Sequence, residues 1–302
     1  MEISYKKQIE IVDKLIKDKY EGSINHERYL HIIGVKNKAL ELAEIYNVCK
    51  DKVYIAAMMH DYYKYETKEE MGKLLTEEEL IEAKKTPVLF HSYASARAYL
   101  KLVGNDLEIF NAIKNHVFGC LNMTKLEEII LISDYIEENR TYDSCIYCRN
   151  LVSRNLFFTA IYESTRRTIE LLKTRNVKPS PLQVKVLEEY EVKMQKELVD
   201  LLIEACEKVN AKDIKVLDSK YHSPFFDYTI ICSVTSNRQI DAVSDYVYEY
   251  LTDTPYYVKN VCGKNSNWLI VDCGNVVLHI FTEEERQRVD LDNLYLEYDK
   301  VN

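Results

Sequence analysis

Along the first two-thirds of the chain, apolar residues recur at intervals of three and four positions, a spacing that predicts amphipathic helices. Pro87, Gly104 and Gly119 separate successive segments, and Thr141–Arg149 is predicted as a loop. The predicted helices are Asn25–Tyr46, Val53–Tyr65, Thr76–Lys85, Val88–Leu100, Asp106–Val117, Lys125–Glu138, Ser153–Thr174 and Leu182–Val209. Residues 1–195 are therefore predicted to form an all-α domain.

After Asn210 the pattern changes to short β-rich runs mixed with helical ones, which predicts a multidomain protein. The run around Gly274 predicts a tight hairpin turn between two strands. The predicted strands are Asp213–Asp218, Tyr228–Ser233, Tyr257–Cys262, Trp268–Cys273 and Val276–Phe281, and the predicted helices are Ser236–Leu251 and Glu283–Leu294. Residues 196–302 are expected to form a smaller α/β (α+β) domain with a mixed sheet of about five strands.

Nothing in the sequence predicts a membrane segment. Hydrophobic residues make up 47% of the chain. No run approaches the ~18 consecutive apolar residues of a membrane span. The N-terminal segment carries charges every few residues, unlike a secretory signal. We therefore expect a cytoplasmic protein.

The net charge of −9 is unevenly distributed. Residues 196–302 contain 11 basic and 19 acidic side chains, whereas residues 1–195 contain 29 and 30. An acidic domain argues against direct DNA binding, which needs a basic surface, and suits a basic protein partner. The charge pattern leaves the oligomeric state open, and a homodimer remains one alternative.

Six ionisable side chains lie in apolar surroundings of the helical part, each on or beside an apolar stripe. They are His31, His60, Asp61, His91, His116 and Asp134. Burying such groups without partners would cost several kcal/mol each, and a shared cation removes that cost. Imidazole and carboxylate ligands suit iron, manganese, zinc or nickel better than calcium or magnesium. Six ligands exceed what one metal needs, so a carboxylate such as Asp61 is a candidate bridge between two.

Cysteine residues are not expected to contribute to this site. Cys145 and Cys148 form the one CxxC sequence among eight scattered cysteines. A structural zinc site would need a second pair of ligands nearby, and none follows in the sequence.

The order of these histidines and aspartates resembles the signature of the HD phosphohydrolases. The flanking sequences RYLHIIGV (28–35), HDYYK (60–64), LFHS, KNH and ISDYIEENR (132–140) resemble the YqeK-like branch of that superfamily. Members of this branch are symmetrical bis(5′-nucleosyl)-tetraphosphatases, which split diadenosine tetraphosphate into two ADP. The resemblance covers roughly residues 20–190 and implies an all-helical domain with two divalent metal ions, for which iron is the family expectation.

The resemblance also assigns roles to individual residues. It implies that His31, His60, Asp61 and Asp134 hold one metal, while Asp61, His91 and His116 hold the second. A hydroxide between the metals would then attack an inner phosphorus. Lys64, expected on the same helix face as Asp61, is assigned to a substrate phosphate as a second catalytic group.

Two arginines are further candidates for substrate binding, namely Arg28 and Arg140. For each of them, as for Lys64, the alternative role is that of an ordinary solvated or ion-paired surface side chain. Two alternatives to the proposed activity stay open at this point. One is a broader nucleotide phosphohydrolase, and the other is a non-catalytic nucleotide sensor attached to a translation repressor.

The C-terminal domain resembles the ribosomal silencing factors (RsfS, Iojap). The resemblance rests on AKDIKVLD (211–218), FDYTIICSVTSNRQIDAVSDYV (226–247), NWLIVDCGNVVLHIF (267–281) and EEERQRVDLDNLY (283–295). It implies binding to a protein of the large ribosomal subunit and obstruction of subunit joining. Trp268 and Asp272, at i and i+4 of one predicted strand, are the expected ribosome-binding residues. Core packing is the alternative role of Trp268.

Overall fold

The computed structural model describes residues 3–295 and 299–300 and divides the chain into two compact units, Met1–Glu191 and Val192–Asn302. The division falls within one long helix, Pro181–Lys208, which also contains the boundary between residues 195 and 196 that the sequence predicts. None of the helices among residues 3–295 combines the length and the apolar composition that a transmembrane segment needs.

The first unit is helical, as predicted, and the segments with apolar residues at intervals of three and four positions contain helices. Three of the helices begin with a threonine whose side chain and the glutamate three residues later form a reciprocal capping box. The helices are α1 (Tyr5–Tyr20), α2 (His26–Ile45), α3 (Lys50–Met59), α4 (Lys68–Gly72), α5 (Glu77–Lys85), α6 (Leu89–Leu102), α7 (Leu107–Asn115), α8 (Lys125–Ile136), α9 (Asp143–Ser153), α10 (Phe157–Thr174) and α11 (Pro181–Lys208).

Helix α3 lies in the interior of the first unit. It packs against α1, α2, α6, α7 and α8. Six of its ten side chains are buried, and those of Val53, Ile55 and Met59 are fully inaccessible. A helix that is apolar on nearly every side is stable only inside the protein. The two residues that follow it, His60 and Asp61, are therefore held in the centre of the helical unit.

The chain turns directly after Met59, so the prediction of a helix over Val53–Tyr65 is wrong in its second half. The hydroxyl of Tyr20, from α1, donates to the backbone carbonyl oxygens of Asp61 at 3.2 Å and Tyr62 at 2.9 Å. These carbonyls would otherwise accept hydrogen bonds from later amides of a continued helix. A tertiary partner thus replaces local helix formation at this point.

The predicted loop Thr141–Arg149 is also wrong, because most of it belongs to α9. Arg149, on this helix, donates to three backbone carbonyls of the preceding segment. They are Ile136 O at 2.9 Å, Glu137 O at 2.8 Å and Arg140 O at 3.0 Å. Arg149 therefore binds backbone carbonyls at and beyond the end of α8 and fixes the segment that follows this helix.

The second unit contains a mixed sheet, which confirms the predicted fold class. Its strand order is β3-β4-β5-β2-β1-β6, with β2 and β5 parallel and the other neighbours antiparallel. The strands are β1 (Lys212–Asp218), β2 (Tyr228–Val234), β3 (Asn260–Cys262), β4 (Trp268–Asp272), β5 (Val276–Thr282) and β6 (Asp299–Lys300). The five longer strands correspond to the predicted ones, and the two-residue β6 was not predicted.

The predicted hairpin turn joins β4 and β5, with Gly274 at a φ of +83° and a hydrogen bond from Cys273 N to Val276 O of 2.9 Å. The predicted closing helix Glu283–Leu294 is instead two short helices, α13 (Glu283–Val289) and α14 (Leu291–Leu294), which follow α12 (Asn237–Leu251). Asp290 separates them with a left-handed φ of 52°, a conformation that aspartate tolerates and that ends a helix.

A buried arginine connects this C-terminal segment to the sheet. Arg286 is 8% exposed, and its guanidinium donates to both carboxylate oxygens of Asp292 at 2.8 and 3.0 Å. It also donates to Asp213 O at 2.9 Å and Ser233 Oγ at 3.0 Å. One side chain therefore holds α13 and α14 against β1 and β2.

We predict that Arg286→Met lowers the free energy of unfolding of the second unit by about 3 kcal/mol, because it leaves a partly buried carboxylate and buried acceptors unpaired. Denaturant unfolding followed by the fluorescence of Trp268, the single tryptophan of the chain, measures this unit. Arg288→Met is the control, since Arg288 is an exposed arginine on the same helix paired with Glu285. Equal stability of the two variants would contradict the structural role of Arg286.

Candidate metal centre

Asp61 lies between two pairs of histidines. Its Oδ2 atom is 3.8 Å from His31 Nε2 and 3.5 Å from His60 Nε2. Its Oδ1 atom is 3.1 Å from His91 Nε2 and 3.6 Å from His116 Nε2. All five side chains are buried, and each of the two His-His-Asp groups is compact enough to hold a metal ion. One carboxylate is therefore shared by two candidate metal-binding groups.

Backbone carbonyls orient two of these imidazoles. His60 and His116 directly follow α3 and α7, and each points Nδ1 back to a carbonyl oxygen three residues earlier. The distances are 2.6 Å to Ala57 O and 2.8 Å to Ile113 O. A carbonyl only accepts, so Nδ1 carries the proton and Nε2 presents its lone pair toward Asp61. This tautomer is the one that a metal site at Nε2 requires.

A carboxylate orients the third imidazole. His31 Nδ1 lies 3.2 Å from Glu137 Oε1, while its Nε2 lies 3.0 Å from Asp134 Oδ1. Glu137 is 1% exposed, and its other oxygen accepts a hydrogen bond from Asn139 N at 2.7 Å. In metal sites, a histidine that binds the metal through one ring nitrogen commonly donates a hydrogen bond from its other ring nitrogen to a carboxylate. Sequence reasoning missed Glu137, whose one signal is its position three residues after Asp134.

Several buried polar atoms at the centre lack a hydrogen-bond partner among the described residues. They include His31 Nε2, His60 Nε2 and Asp61 Oδ1. Orphaned donors or acceptors in the interior are costly, and these three atoms belong to side chains of the two candidate metal-binding groups. Cations bound in these groups would satisfy them, so the residues fit divalent metals.

The protonation states of His60, His91 and Asp61 are the ones that bind metals. Burial alone would lower the pKa of His31, but its contacts with Asp134 and Glu137 raise it. Burial lowers the pKa of His60, and it lowers the pKa of His91 to about 4, so both imidazoles are neutral at pH 7. Burial alone would raise the pKa of Asp61, but the neighbouring His60, His116 and His91 outweigh it and hold that pKa well below its usual value. Metal ligation requires neutral imidazole and ionised carboxylate.

Three cationic side chains, named from the sequence as phosphate-binding candidates, contact the carboxylates of the centre. Arg28 Nη1 lies 2.6 Å from Asp61 Oδ2, and Arg140 Nη2 lies 2.8 Å from Asp134 Oδ1. Lys64 Nζ lies 3.4 Å from Asp61 Oδ1. Lys64 is in the turn after α3, not on a shared helix face as predicted, but its amide donates to Asp61 O at 3.0 Å and keeps the two residues adjacent.

Cys145 and Cys148 are buried on α9 and belong to neither metal-binding group found in the described residues. Their thiols have raised pKa values, through burial above all, to about 12 for Cys148. Thiols that stay protonated are poor metal ligands and weak nucleophiles.

In the second unit, Trp268 and Asp272 occupy alternate, half-buried positions of β4 and share a face of the sheet. The Trp268 ring stacks on Phe281 with a centroid distance of 4.9 Å, and its Nε1 donates to His279 Nδ1 at 3.2 Å. Asp272 accepts from Gly274 N at 2.8 Å. Both residues therefore contribute to the local structure as well as to the surface of the sheet.

Comparison with known proteins divides the chain in the same way. Residues 28–139 match the family model "HD domain", and residues 192–302 match "Ribosomal silencing factor during starvation". The symmetrical bis(5′-nucleosyl)-tetraphosphatase of Bacillus subtilis is 35% identical over 156 residues, which cover 51% of this chain and 83% of that protein. The ribosomal silencing factor RsfS of the same organism is 31% identical over 102 residues, covering 33% and 86%.

A solved structure supports the fold of the first unit. It is that of a predicted HD superfamily hydrolase involved in NAD metabolism from Clostridium acetobutylicum, with a TM-score of 0.54 and 25% identity. The match covers 64% of this chain and all of that one. The chain therefore belongs to two families, the HD-domain symmetrical bis(5′-nucleosyl)-tetraphosphatases in its N-terminal part and the ribosomal silencing factors in its C-terminal part.

Proposed function

We propose that the first unit hydrolyses diadenosine tetraphosphate to two ADP at a centre of two divalent metal ions. The observation that carries this proposal is the division of Asp61 between two histidine pairs, one on each carboxylate oxygen. When bound there, a metal pair supplies Lewis acidity, which makes a water acidic near neutral pH and neutralises phosphate oxygens. Iron is our first expectation, and manganese, zinc and nickel suit the same ligands.

The residues of this chain hold and orient the reacting groups. His31, His60 and Asp134 would hold one metal together with Asp61, and His91 and His116 would hold the other. The backbone carbonyls and Glu137 fix the imidazole rings, so that no reorganisation is needed when substrate binds.

The three cations would bind the phosphate chain. Lys64 Nζ is 3.1 Å from His91 Nε2, so a phosphate oxygen near this ligand lies within its reach. Arg28 and Arg140 are in contact with the carboxylates of the other side of the centre. Positive charge on both sides stabilises the transferring phosphoryl group, and ADP is a leaving group that needs little acid assistance.

The test of the reaction is product analysis on the full chain, purified without oxygen and analysed for metal. We expect two ADP from each diadenosine tetraphosphate in a metal-dependent reaction. Formation of AMP and ATP would contradict symmetrical cleavage, and binding without turnover would favour a nucleotide sensor.

For the second unit we propose binding to a basic protein of the large ribosomal subunit, which blocks joining of the small subunit. The support is the family of this unit, its excess of acidic residues, and the partly exposed Trp268 and Asp272, which share one face of the sheet. Nucleotide and ribosome are both found in the cytoplasm, which is where we expect the protein.

We predict that Asp61→Ala reduces turnover roughly a thousandfold or more, because it removes the group shared by both metals. Metal analysis should show a loss of bound metal in parallel. Asp51→Ala is the control, since Asp51 is an exposed carboxylate on α3. Unchanged turnover and metal content in Asp61→Ala would contradict the proposal.

Gly34→Ala tests the contribution of the contact between Glu137 and His31 to metal binding. A methyl group at position 34 would overlap Glu137 Oε2, whose carboxylate contacts His31. We predict that the affinity for metal falls about 10–100-fold, the usual effect of removing the hydrogen-bond partner of a metal-ligating histidine. Gly72→Ala is the control, because its methyl would meet Leu80 at an ordinary 3.4 Å. Competition with a metal chelator measures the metal affinity of both variants. Equal affinities would contradict a role of Glu137 in metal binding.

Trp268→Ala is expected to reduce co-sedimentation with large ribosomal subunits by at least about tenfold, the size of effect that a tryptophan anchor produces. Tyr248→Ala, which removes an exposed aromatic ring from α12, should bind as the unmodified chain does. Circular dichroism of both variants separates loss of the surface from loss of the fold. Normal sedimentation of a folded Trp268→Ala chain would exclude this residue from the interface.

A further inference from the structure

An exposed aromatic ring lies at the edge of the metal centre, where the centre meets solvent. Tyr65 is 53% exposed, whereas the four imidazoles of the centre are buried. Two of the cations around the centre are also reached by solvent, with 17% of the Arg28 side chain and 31% of the Lys64 side chain exposed. The ring and these cations are therefore accessible to the same approaching ligand.

Arg28 connects this ring to the metal centre. Its Nη1 atom is 2.6 Å from Asp61 Oδ2, and its Cζ atom lies over the Tyr65 ring, 5.5 Å from the centroid. That separation is within the range of a cation–π contact. One guanidinium therefore joins the carboxylate that both metal-binding groups share to an exposed aromatic surface. A phosphate at Arg28 and an organic group on the ring would be adjacent parts of one ligand.

Helix α1 fixes the position of Tyr65. The ring makes an edge contact with the ring of Tyr20, with a centroid distance of 6.5 Å and an interplanar angle of 72°. Tyr20 is 1% exposed, and its hydroxyl donates to two backbone carbonyls of the turn after α3. On the other side of Tyr65 in the sequence, Glu66 pairs with Lys19 of α1 at 2.5 Å. The ring is thus held in place before a ligand binds, which reduces the entropic cost of binding.

An exposed ring beside a guanidinium suits a ligand that combines a planar aromatic group with an anion. A nucleotide has this composition, because its base stacks on aromatic side chains and its phosphates pair with arginine. Stacking uses the open surface of the ring and needs no enclosed cavity. The contacts of Tyr65 with Arg28 and Tyr20 leave more than half of the residue accessible for it.

From this geometry we infer that Tyr65 is a stacking platform for the base of one nucleoside of the substrate, while Arg28 binds the phosphate chain attached to it. The inference rests on the proposed function, which brings that phosphate chain to the metals. Every base has an aromatic face, so stacking accepts adenine and guanine alike. The specificity that Tyr65 supplies is therefore for a nucleotide over a plain polyphosphate, and not for one base over another.

The test compares the binding of ADP and of inorganic pyrophosphate to the metal-loaded full chain by titration calorimetry. Tyr65→Ala removes the ring, and Tyr65→Phe keeps the ring while it removes the hydroxyl. Tyr248→Ala is the matched control, because Tyr248 is a tyrosine of similar exposure, 51%, on α12 of the second unit. Circular dichroism shows whether each variant is folded.

We expect Tyr65→Ala to weaken ADP binding about tenfold, a typical effect of losing a stacked base, while pyrophosphate binding changes less than about twofold. Tyr65→Phe should retain the affinity for ADP, because the ring remains. Equal loss of ADP and pyrophosphate in Tyr65→Ala would show that the ring acts only by positioning Arg28, and would overturn the inference. Unchanged ADP binding in Tyr65→Ala, or the same loss in Tyr65→Phe or Tyr248→Ala, would overturn it as well.

Fluorescence provides a direct signal of stacking. Tyr65→Trp introduces an indole at this position, and the unmodified chain, with Trp268 as its single tryptophan, gives the background emission. We expect ADP and GDP to quench the added emission and pyrophosphate to leave it unchanged, because only a base stacks on the ring. Emission that does not respond to either nucleotide at saturation would contradict the inference.

The outcomes separate this inference from the proposed function. If the unmodified chain fails to cleave diadenosine tetraphosphate but loses affinity for ADP alone in Tyr65→Ala, the stacking platform stands without the reaction. If the chain cleaves the dinucleotide and Tyr65→Ala binds ADP normally, the reaction stands without the platform.

Discussion

The ionised carboxylate of Asp61 lies in the interior of the helical unit, with 2% of its side chain exposed. An isolated charge at such a position would be expensive, and the fold around it compensates this cost. Four imidazoles, one guanidinium and one ammonium group lie within 3.8 Å of its two oxygens. These groups lie on α2 and α6 and on the residues that follow α3 and α7, so the burial of one charge connects four helices of the unit.

The position of Asp61 follows from the composition of α3 and the end of that helix. A helix that is apolar on all sides must be internal, and whatever directly follows it is internal too. His60 and His116 use the geometry of helix ends in the same manner, since each occupies the position after the last helical residue and binds a carbonyl of the last turn. Such carbonyls have no amide partner within the helix and are available to orient a ring.

The six candidate ligands could be found from the sequence because each combines a metal-binding side chain with an apolar context. Helix periodicity and the hairpin at Gly274 were also local signals, and the structure contains the corresponding elements. The turn after Met59 could not be found in this way, because it depends on the hydroxyl of Tyr20, some forty residues away. Local pattern favours a continued helix there, and a distant side chain decides otherwise.

Glu137 and Gly34 were missed for a related reason. A glutamate near a helix end is ordinary in sequence, and its role appears when His31, a hundred residues earlier, is brought to 3.2 Å from it. Gly34 lies in the middle of α2, where glycine is unfavourable for a helix. The place that its missing side chain would fill is taken by the Glu137 carboxylate. The glycine that destabilises α2 is thus explained by the close approach of Glu137, a contact that the spacing of apolar residues in the sequence does not reveal.

The covalent joining of the two units has a limited physical effect on the proposed reaction. A tether raises the effective concentration of one binding site near another when both act on the same large partner. A dinucleotide diffuses freely, so tethering the hydrolase to a unit of the ribosomal silencing factor family does not by itself change the rate at which the proposed substrate would reach Asp61. Coupling would require that ribosome binding alter the free energy of the metal centre, and by reciprocity that nucleotide alter ribosome affinity. Without such a difference, the fusion only ensures that the two units are present in equal numbers, and each unit keeps its own ligand equilibrium.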